Sequence, residues 1–337
     1  MAVLVTGGAG YIGSHTVIQL LDSGEDVIVV DDLSNSSIKV VDRIEELSGK
    51  RPKFYKVNIL DEENFEKIFK ENEIESIIHF AGFKAVGESV EKPLAYYTNN
   101  LISTLIILNI MKKYNIKNFV FSSSATVYGD PKSCPILENF PLSTTNPYGT
   151  TKLMIENMLR DICKTDKNLN VGILRYFNPV GAHKSGRIGE EPNGIPNNLM
   201  PYITKVAIGK LEKLSVFGDD YSTHDGTGVR DYIHVEDLAS GHLKALVKLR
   251  TNSGLVTYNL GTGKGYSVLD MVKAFGKACG KEIPYKIVGR RAGDIAMCYA
   301  DSTKAKNELG WEAKFDLDRM CEDSWRWQKN NPNGYED

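Results

Sequence analysis

The chain has 337 residues, 42% of them hydrophobic and 25% charged, enough for one large domain or two smaller ones around a substantial core. Its 41 basic and 43 acidic residues leave a formal net charge of −2 with no basic cluster, so there is no electrostatic case for nucleic acid or an anionic membrane as partner. Five cysteines, an odd number with no C-x-x-C pair, argue against a disulfide framework and against any metal site, and favour a reducing compartment.

The first residues run straight into a strand-like A-V-L-V-T (2–6), leaving no room for a signal peptide, and a cytoplasmic location is expected. T-G-G-A-G-Y-I-G (6–13) follows that strand and opens a helical pattern over 11–22, which suits Gly7, Gly10 and Gly13 to a tight turn, close approach to a pyrophosphate, and strand–helix packing. A second strand, D-V-I-V-V-D (26–31), ends on Asp31, 18 residues after Gly13, where a carboxylate accepts hydrogen bonds from an adenosine ribose. That carboxylate repels a 2′-phosphate and no arginine follows in D-D-L-S-N-S-S (31–37), so NAD is favoured over NADP.

Short β-branched runs recur at 54–57, 76–81, 118–122 and 171–175, separated by helix-spaced segments at 62–71, 94–113 and 148–165. The alternation predicts an α/β fold with a Rossmann-type doubly wound parallel sheet over residues 1–177. L-I-S-T-L-I-I-L-N-I-M (101–111) is too short and too often interrupted by polar residues to cross a membrane, and it is expected to be a buried helix. After about residue 178 the texture changes to Gly-, Pro- and Asn-rich connections, and residues 178–337 are expected to form mainly a smaller α/β substrate lobe, with some chain returning to the first domain and a cleft between the two.

Within the 148–165 pattern, N-P-Y-G-T-T-K (146–152) places Tyr148 four residues before Lys152. With 16 tyrosines and 41 basic residues, about two such spacings arise by chance, and the chain has a second at Tyr128 and Lys132. Pro131 opposes a helix there, whereas Asn146 can cap and Pro147 suits a first helical turn, so only Tyr148 and Lys152 are expected to share a helix face.

These blocks, together with H-F-A-G-F-K-A-V-G-E-S (79–89), F-S-S-S-A-T-V-Y-G (121–129), L-R-Y-F-N-P-V-G-A (174–182), G-I-P-N-N-L-M-P (194–201), G-V-R-D-Y-I-H-V (228–235) and D-S-T-K-A-K-N-E-L-G-W (301–311), resemble the extended short-chain dehydrogenase/reductase family along essentially the whole chain. Within it they are most similar to the branch that inverts carbon 4 of UDP-glucose and UDP-galactose. The resemblance implies that Tyr148 takes the proton of the sugar 4-hydroxyl while carbon 4 passes hydride to NAD, that Ser124 orients or relays that proton, and that Lys152 supports the phenolate. A transient 4-keto sugar then turns over and recovers the hydride.

It further implies cofactor contacts at Tyr11, Ile12, Asp31, Asp32, Asn35, Ser36, Asn58, Ile59, Phe80, Ala81, Gly82, Lys84, Asn99, Ser124, Tyr148, Lys152 and Phe177. UDP-sugar contacts are implied at Ser124, Tyr148, Asn178, Asn198, Leu199, Phe217, Arg230, Arg291, Asp294 and Cys298. A homodimer through the helices near 94–113 and 148–165 is expected. Asn58 stands where the family usually has aspartate, and Cys298 where some relatives have tyrosine; the smaller side chain leaves room for a 2-acetamido sugar. A 4,6-dehydratase of the same family carries an Asp-Glu pair after the serine or threonine matching Ser124; here Ala125 and Thr126 follow. A non-catalytic nucleotide sensor would not need Ser124, Tyr148, Lys152 and both arginines together.

Overall fold

The computed structural model describes residues 1–336 except Ala292. Its first part alternates β1 (Ala2–Thr6), α1 (Tyr11–Asp22), β2 (Val27–Val30), α2 (Lys39–Ser48), β3 (Lys53–Tyr55), α3 (Glu62–Glu71) and β4 (Ile74–His79). There follow α4 (Val86–Glu91), α5 (Pro93–Tyr97), α6 (Ser103–Lys113), β5 (Asn118–Ser122), α7 (Pro147–Thr165), β6 (Asn170–Tyr176) and β7 (Asn178–Val180). The remainder comprises α8 (Leu199–Ala207), β8 (Leu214–Phe217), β9 (Val229–Arg230), β10 (Tyr232–His234), α9 (Val235–Leu249) and β11 (Leu255–Leu260). It ends with β12 (Tyr266–Ser267), α10 (Val268–Cys279), β13 (Tyr285–Val288), β14 (Met297–Cys298), α11 (Thr303–Leu309) and α12 (Leu317–Asn330).

Seven strands in the order β11-β6-β5-β4-β1-β2-β3, every neighbour parallel, form the central sheet. The central strands are rich in buried apolar residues because both faces of the sheet are covered. Val3 and Val5 face one core with Val17, Leu20 and residues of α9, while Leu4 faces another with Phe65, Ile68, Ile107, Phe119 and Ile155. Strand order reverses between β1 and β4, the switch point where open α/β sheets bind ligands beyond their carboxyl ends.

Part of the second half belongs to this sheet. α9 packs on α1, and β11 adds the seventh strand, paired with β6 from Leu255–Val171 to Leu260–Tyr176. The lobe proper has its own core around Met200, Ile203, Val216, Phe275 and Met320, built from α8, α10, α12, β8 and β10. A smaller cluster of Ala125, Val127, Tyr128, Phe177, Cys298 and Ala300 joins the two halves.

Two expectations need correction. The 94–113 segment is not one regular helix: a wider turn at Thr98–Ile102 separates α5 from α6, because Asn100 turns inward to bond other segments. Nor is 101–111 wholly buried, since Ile102 and Leu105 remain 43% and 44% exposed. The amphipathic helix α2 was not anticipated from the sequence pattern at all; it buries Val40, Val41 and Ile44 against the sheet.

Candidate active site

The turn at 7–10 bends the chain from β1 into α1. Gly7 takes φ +67°, and a Cβ there would lie 2.7 Å from the Ala81 nitrogen. Gly13 is more tightly constrained, since a Cβ would fall 2.2 Å from the Gly7 carbonyl oxygen. Gly10 precedes α1 without a side-chain cap, and neither Tyr11 nor Ile12 brings an acid into the first turn. The helix therefore presents uncapped N–H groups and the positive end of its dipole at the strand-order reversal.

Asp31, 9% exposed, accepts the Ala9 N–H at 3.1 Å through one oxygen, and the Leu33 N–H at 3.0 Å and Ser36 hydroxyl at 2.8 Å through the other. Burial raises its pKa while these donors oppose the rise. A carboxylate has about four acceptor positions, so room for a ribose hydroxyl remains. Glycine turn, uncapped helix and buried acid together fit a dinucleotide, the group the fold implies.

Asn58 donates from its amide to Asp32 Oδ2 at 2.9 Å and accepts the Leu60 N–H at 2.9 Å. An aspartate here would face Asp32 with like charge, which gives the departure from the family pattern a physical reason. Asn35 lies on the loop after β2 that carries Asp31 and Asp32, and Ile59, next to Asn58, is buried. Beyond β4, the Phe80 N–H donates to the Thr6 carbonyl at 3.1 Å, Ala81 follows, and Gly82 takes φ +153° beside the Asn100 side chain. Lys84 donates to Glu190 at 3.1 Å.

Asn99 donates to the Asn100 side chain at 3.1 Å, and it is the buried Asn100 that organises the region. Asn100 accepts from the Phe83 N–H at 2.8 Å and donates to the Phe83 carbonyl and to Thr151 Oγ1, each at 3.1 Å. It thus ties the loop after β4 to the helix that carries Tyr148 and Lys152, a role that nothing local in the sequence reveals.

That helix starts as expected: Asn146 accepts the Gly149 N–H at 2.8 Å and Pro147 is its first residue. Tyr148 and Lys152 are both buried, with the ammonium nitrogen 5.9 Å from the Tyr148 ring centre and 4.9 Å from that of Phe121. Lys152 also donates to the Ser122 carbonyl at 2.7 Å. Ser124, at the end of β5's outgoing chain, accepts from the Thr126 N–H and hydroxyl at 3.2 and 3.0 Å and lowers the pKa of the Tyr148 phenol. Burial pushes Tyr148 up to about 12, opposed by Ser124, and lowers Lys152 to about 8, opposed by Glu156. Both directions mean that burial disfavours the charged forms; a bound cationic nicotinamide would favour the Tyr148 phenolate.

Tyr176 also belongs near this trio: burial and Tyr148 raise its pKa while Ser122 opposes the rise. It was missed from the sequence although it sits inside L-R-Y-F-N-P, next to Phe177, which is buried against Ala125 and Cys298.

Across the cleft, Asp294 stands between two guanidinium groups, 2.9 Å from Arg291 Nε and 3.9 Å from Arg230 Nη2. Arg230 is steadied by the Val229 and Ile295 carbonyls, both at 2.9 Å, and Arg291 lies 4.6 Å over the Phe217 ring. The buried Tyr232 phenol feels both arginines and was not among the expected residues. Cys298 pairs in register with Arg230, while Asn178 opens β7 beside β10. Asn198 precedes α8, whose first residue is Leu199, and donates to Glu190 at 3.1 Å. The arrangement offers a planar pair of guanidiniums for a diphosphate opposite a base, a hydroxyl and an ammonium.

Residues 4–324 match the family model described as GDP-mannose 4,6 dehydratase. UDP-glucose 4-epimerase of Bacillus subtilis (strain 168) is 64% identical over 99% of both chains, and that of Haemophilus influenzae is 63% identical over the full length of both. Among solved structures, the UDP-glucose 4-epimerase of Bifidobacterium longum in complex with NAD+ and UDP superimposes with a TM-score of 0.96 at 56% identity, covering 99% of this chain and 100% of that one. The chain belongs to the UDP-glucose 4-epimerase family, an NAD-dependent branch of the fold that the dehydratase model describes.

Proposed function

We propose that this protein interconverts UDP-galactose and UDP-glucose by inverting carbon 4 of the sugar, with a resident NAD that is not consumed. The observation that carries this reading is the buried trio of Ser124, Tyr148 and Lys152, linked to the Arg230–Asp294–Arg291 cluster by the apolar group of Ala125, Phe177, Ile295 and Cys298, the last paired with Arg230. When bound, NAD supplies the hydride acceptor and returns the hydride to the other face of the sugar carbon.

Tyr148 takes the 4-hydroxyl proton as carbon 4 is oxidised and gives it back when the 4-keto sugar is reduced. Ser124, whose hydroxyl favours the phenolate, orients the sugar hydroxyl and relays its proton. Lys152, immobilised by Ser122, offsets the phenolate charge and reaches the nicotinamide ribose. Asp31, Asp32, Asn35, Ser36, Asn58 and Ile59 hold the adenosine end, and Phe80, Ala81, Gly82, Lys84, Asn99 and Phe177 the rest of the cofactor. Arg230 and Arg291 grip the diphosphate, with Asn178, Asn198, Leu199, Phe217 and Asp294 around the nucleotide, and the sugar is left free to turn over. Ala125 and Thr126 supply no acid or base for water loss, and the Thr126 hydroxyl is occupied by Ser124, which disfavours a dehydratase.

Cys298 is small, and we extend the substrate range to UDP-N-acetylglucosamine and UDP-N-acetylgalactosamine. Unpaired thiols at all five cysteines support a reducing, cytoplasmic setting. A homodimer is supported by Leu94 on α5, Ile102 at the end of the following wider turn, Leu105 on α6 and Met154 on α7, which are 78%, 43%, 44% and 41% exposed. Sedimentation of wild type and Leu105→Glu tests it; a wild-type monomer at micromolar concentration would refute the dimer.

The function is tested by giving purified protein UDP-galactose without added cofactor and following UDP-glucose. Epimer without net NADH supports the reading; accumulated NADH or a 4-keto-6-deoxy product overturns it.

A further inference from the structure

Glu190 lies on the segment that leaves β7 and crosses toward α8, and its side chain is only 11% exposed. One oxygen, Oε1, accepts both the Lys84 ammonium and the Asn198 amide, each at 3.1 Å. These two residues come from opposite halves: Lys84 from the loop after β4 in the cofactor-binding half, and Asn198 from the start of α8 in the sugar lobe. We propose that Glu190 is a positioning residue that couples the grip on the cofactor to the grip on the uridine diphosphate.

The carboxylate is fixed from behind. The Glu190 carbonyl accepts the Trp327 indole N–H at 3.2 Å, and a Cβ on the preceding Gly189 would meet the Trp327 ring at 2.4 Å. Tyr335 closes the other side, donating to the Gly189 carbonyl at 2.9 Å. Lys84, by contrast, is 49% exposed, and an ion pair with so open a partner is weak unless the other member is held in place. Here it is held, and by an oxygen that also restrains Asn198.

Neither partner is used up by the contact. An ammonium has three N–H donors and a primary amide has a second N–H and an acceptor oxygen, so Lys84 can still meet the cofactor's phosphates and Asn198 those of UDP. Two further ties keep the same segment across the cofactor groove: Asn193 donates to the Ser34 carbonyl at 3.2 Å, and Tyr11 donates to the Gly181 carbonyl at 2.7 Å. Ordering Asn198 around UDP therefore orders Glu190, and through it Lys84, before any chemistry occurs.

This inference rests on the NAD and UDP-sugar reading above, so both ligands are first measured on wild type. The protein loaded with NAD is isolated, and NAD loss is followed in the filtrate with and without UDP, with UDP affinity measured by calorimetry. Glu190→Ala is expected to lose NAD about tenfold faster, to bind UDP severalfold more weakly, and to lose the protection that UDP gives against NAD release. Glu190→Gln keeps an acceptor for Asn198 without a charge for Lys84, should fall between the two, and carries the test if the alanine variant does not fold. Wild type that binds neither ligand would refute the proposed function itself. Wild-type retention, UDP affinity and UDP protection in the variants would refute the coupling alone, as would full protection surviving weaker binding.

Discussion

The Lys152 ammonium lies 5.9 Å from the centre of the Tyr148 ring, one helical turn along α7, anchored by the Ser122 carbonyl at 2.7 Å. Burial opposes the charged form of each residue; Ser124 favours the Tyr148 phenolate and Glu156 the Lys152 ammonium. Tyr148→Phe removes the proton acceptor and should lower kcat by about 10²–10⁴-fold with little change in thermal stability. Lys152→Met should lower kcat and loosen NAD together; a variant at either position with wild-type turnover would remove that residue from the chemistry.

Three of the buried histidines weaken the fold in acid. Burial holds His15 and His79 down to about 3 and His242 to about 4, against about 6.5 in an unfolded chain. Below 6.5 the unfolded state therefore binds protons that the folded state refuses, so stability falls as pH falls toward 4 and is insensitive to these groups above 7. Each histidine contributes about 1.4 kcal/mol per pH unit within that window. Denaturation midpoints should drop from pH 7 to pH 5; constant midpoints would mean that the imidazoles are not held neutral.

Beneath the catalytic helix, Glu156 pairs with Arg175 through two bonds of 3.0 and 2.6 Å, and both side chains are essentially inaccessible. The same carboxylate accepts the Ser123 hydroxyl at 2.6 Å, next to Ser124. Arg175→Met strands a buried carboxylate and should cost about 3–5 kcal/mol in chemical denaturation. A loss below about 1 kcal/mol would show that Arg160, 2.8 Å from Glu156, suffices alone.

In the proposed function, substrate range turns on Cys298. Cys298→Tyr should cut turnover of UDP-N-acetylgalactosamine by about tenfold or more while sparing UDP-galactose, because the added ring occupies the space for the acetamido group. Equal effects on both substrates, or no wild-type activity on the acetylated sugar, would contradict the roomy pocket.

What could be recognised from the sequence was what neighbours determine. The glycine turn, Asn146 as a cap, and Tyr148 one turn before Lys152 depend on spacings of a few residues, and the structure places them as expected. Contacts set by tertiary packing were invisible: Asn100 to Thr151, Arg230 to Asp294, and Glu190 to Lys84 join segments about fifty to a hundred residues apart. The inward turn of Asn100 also explains why one apolar pattern over 94–113 became two helices, since periodicity does not report a side chain recruited from elsewhere.

In the proposed reaction, hydride leaves and returns to carbon 4 without mixing with water. Purified protein in ordinary water should convert UDP-galactose bearing deuterium at carbon 4 into UDP-glucose that still carries that deuterium at carbon 4. Product with the label washed out into solvent would contradict the account.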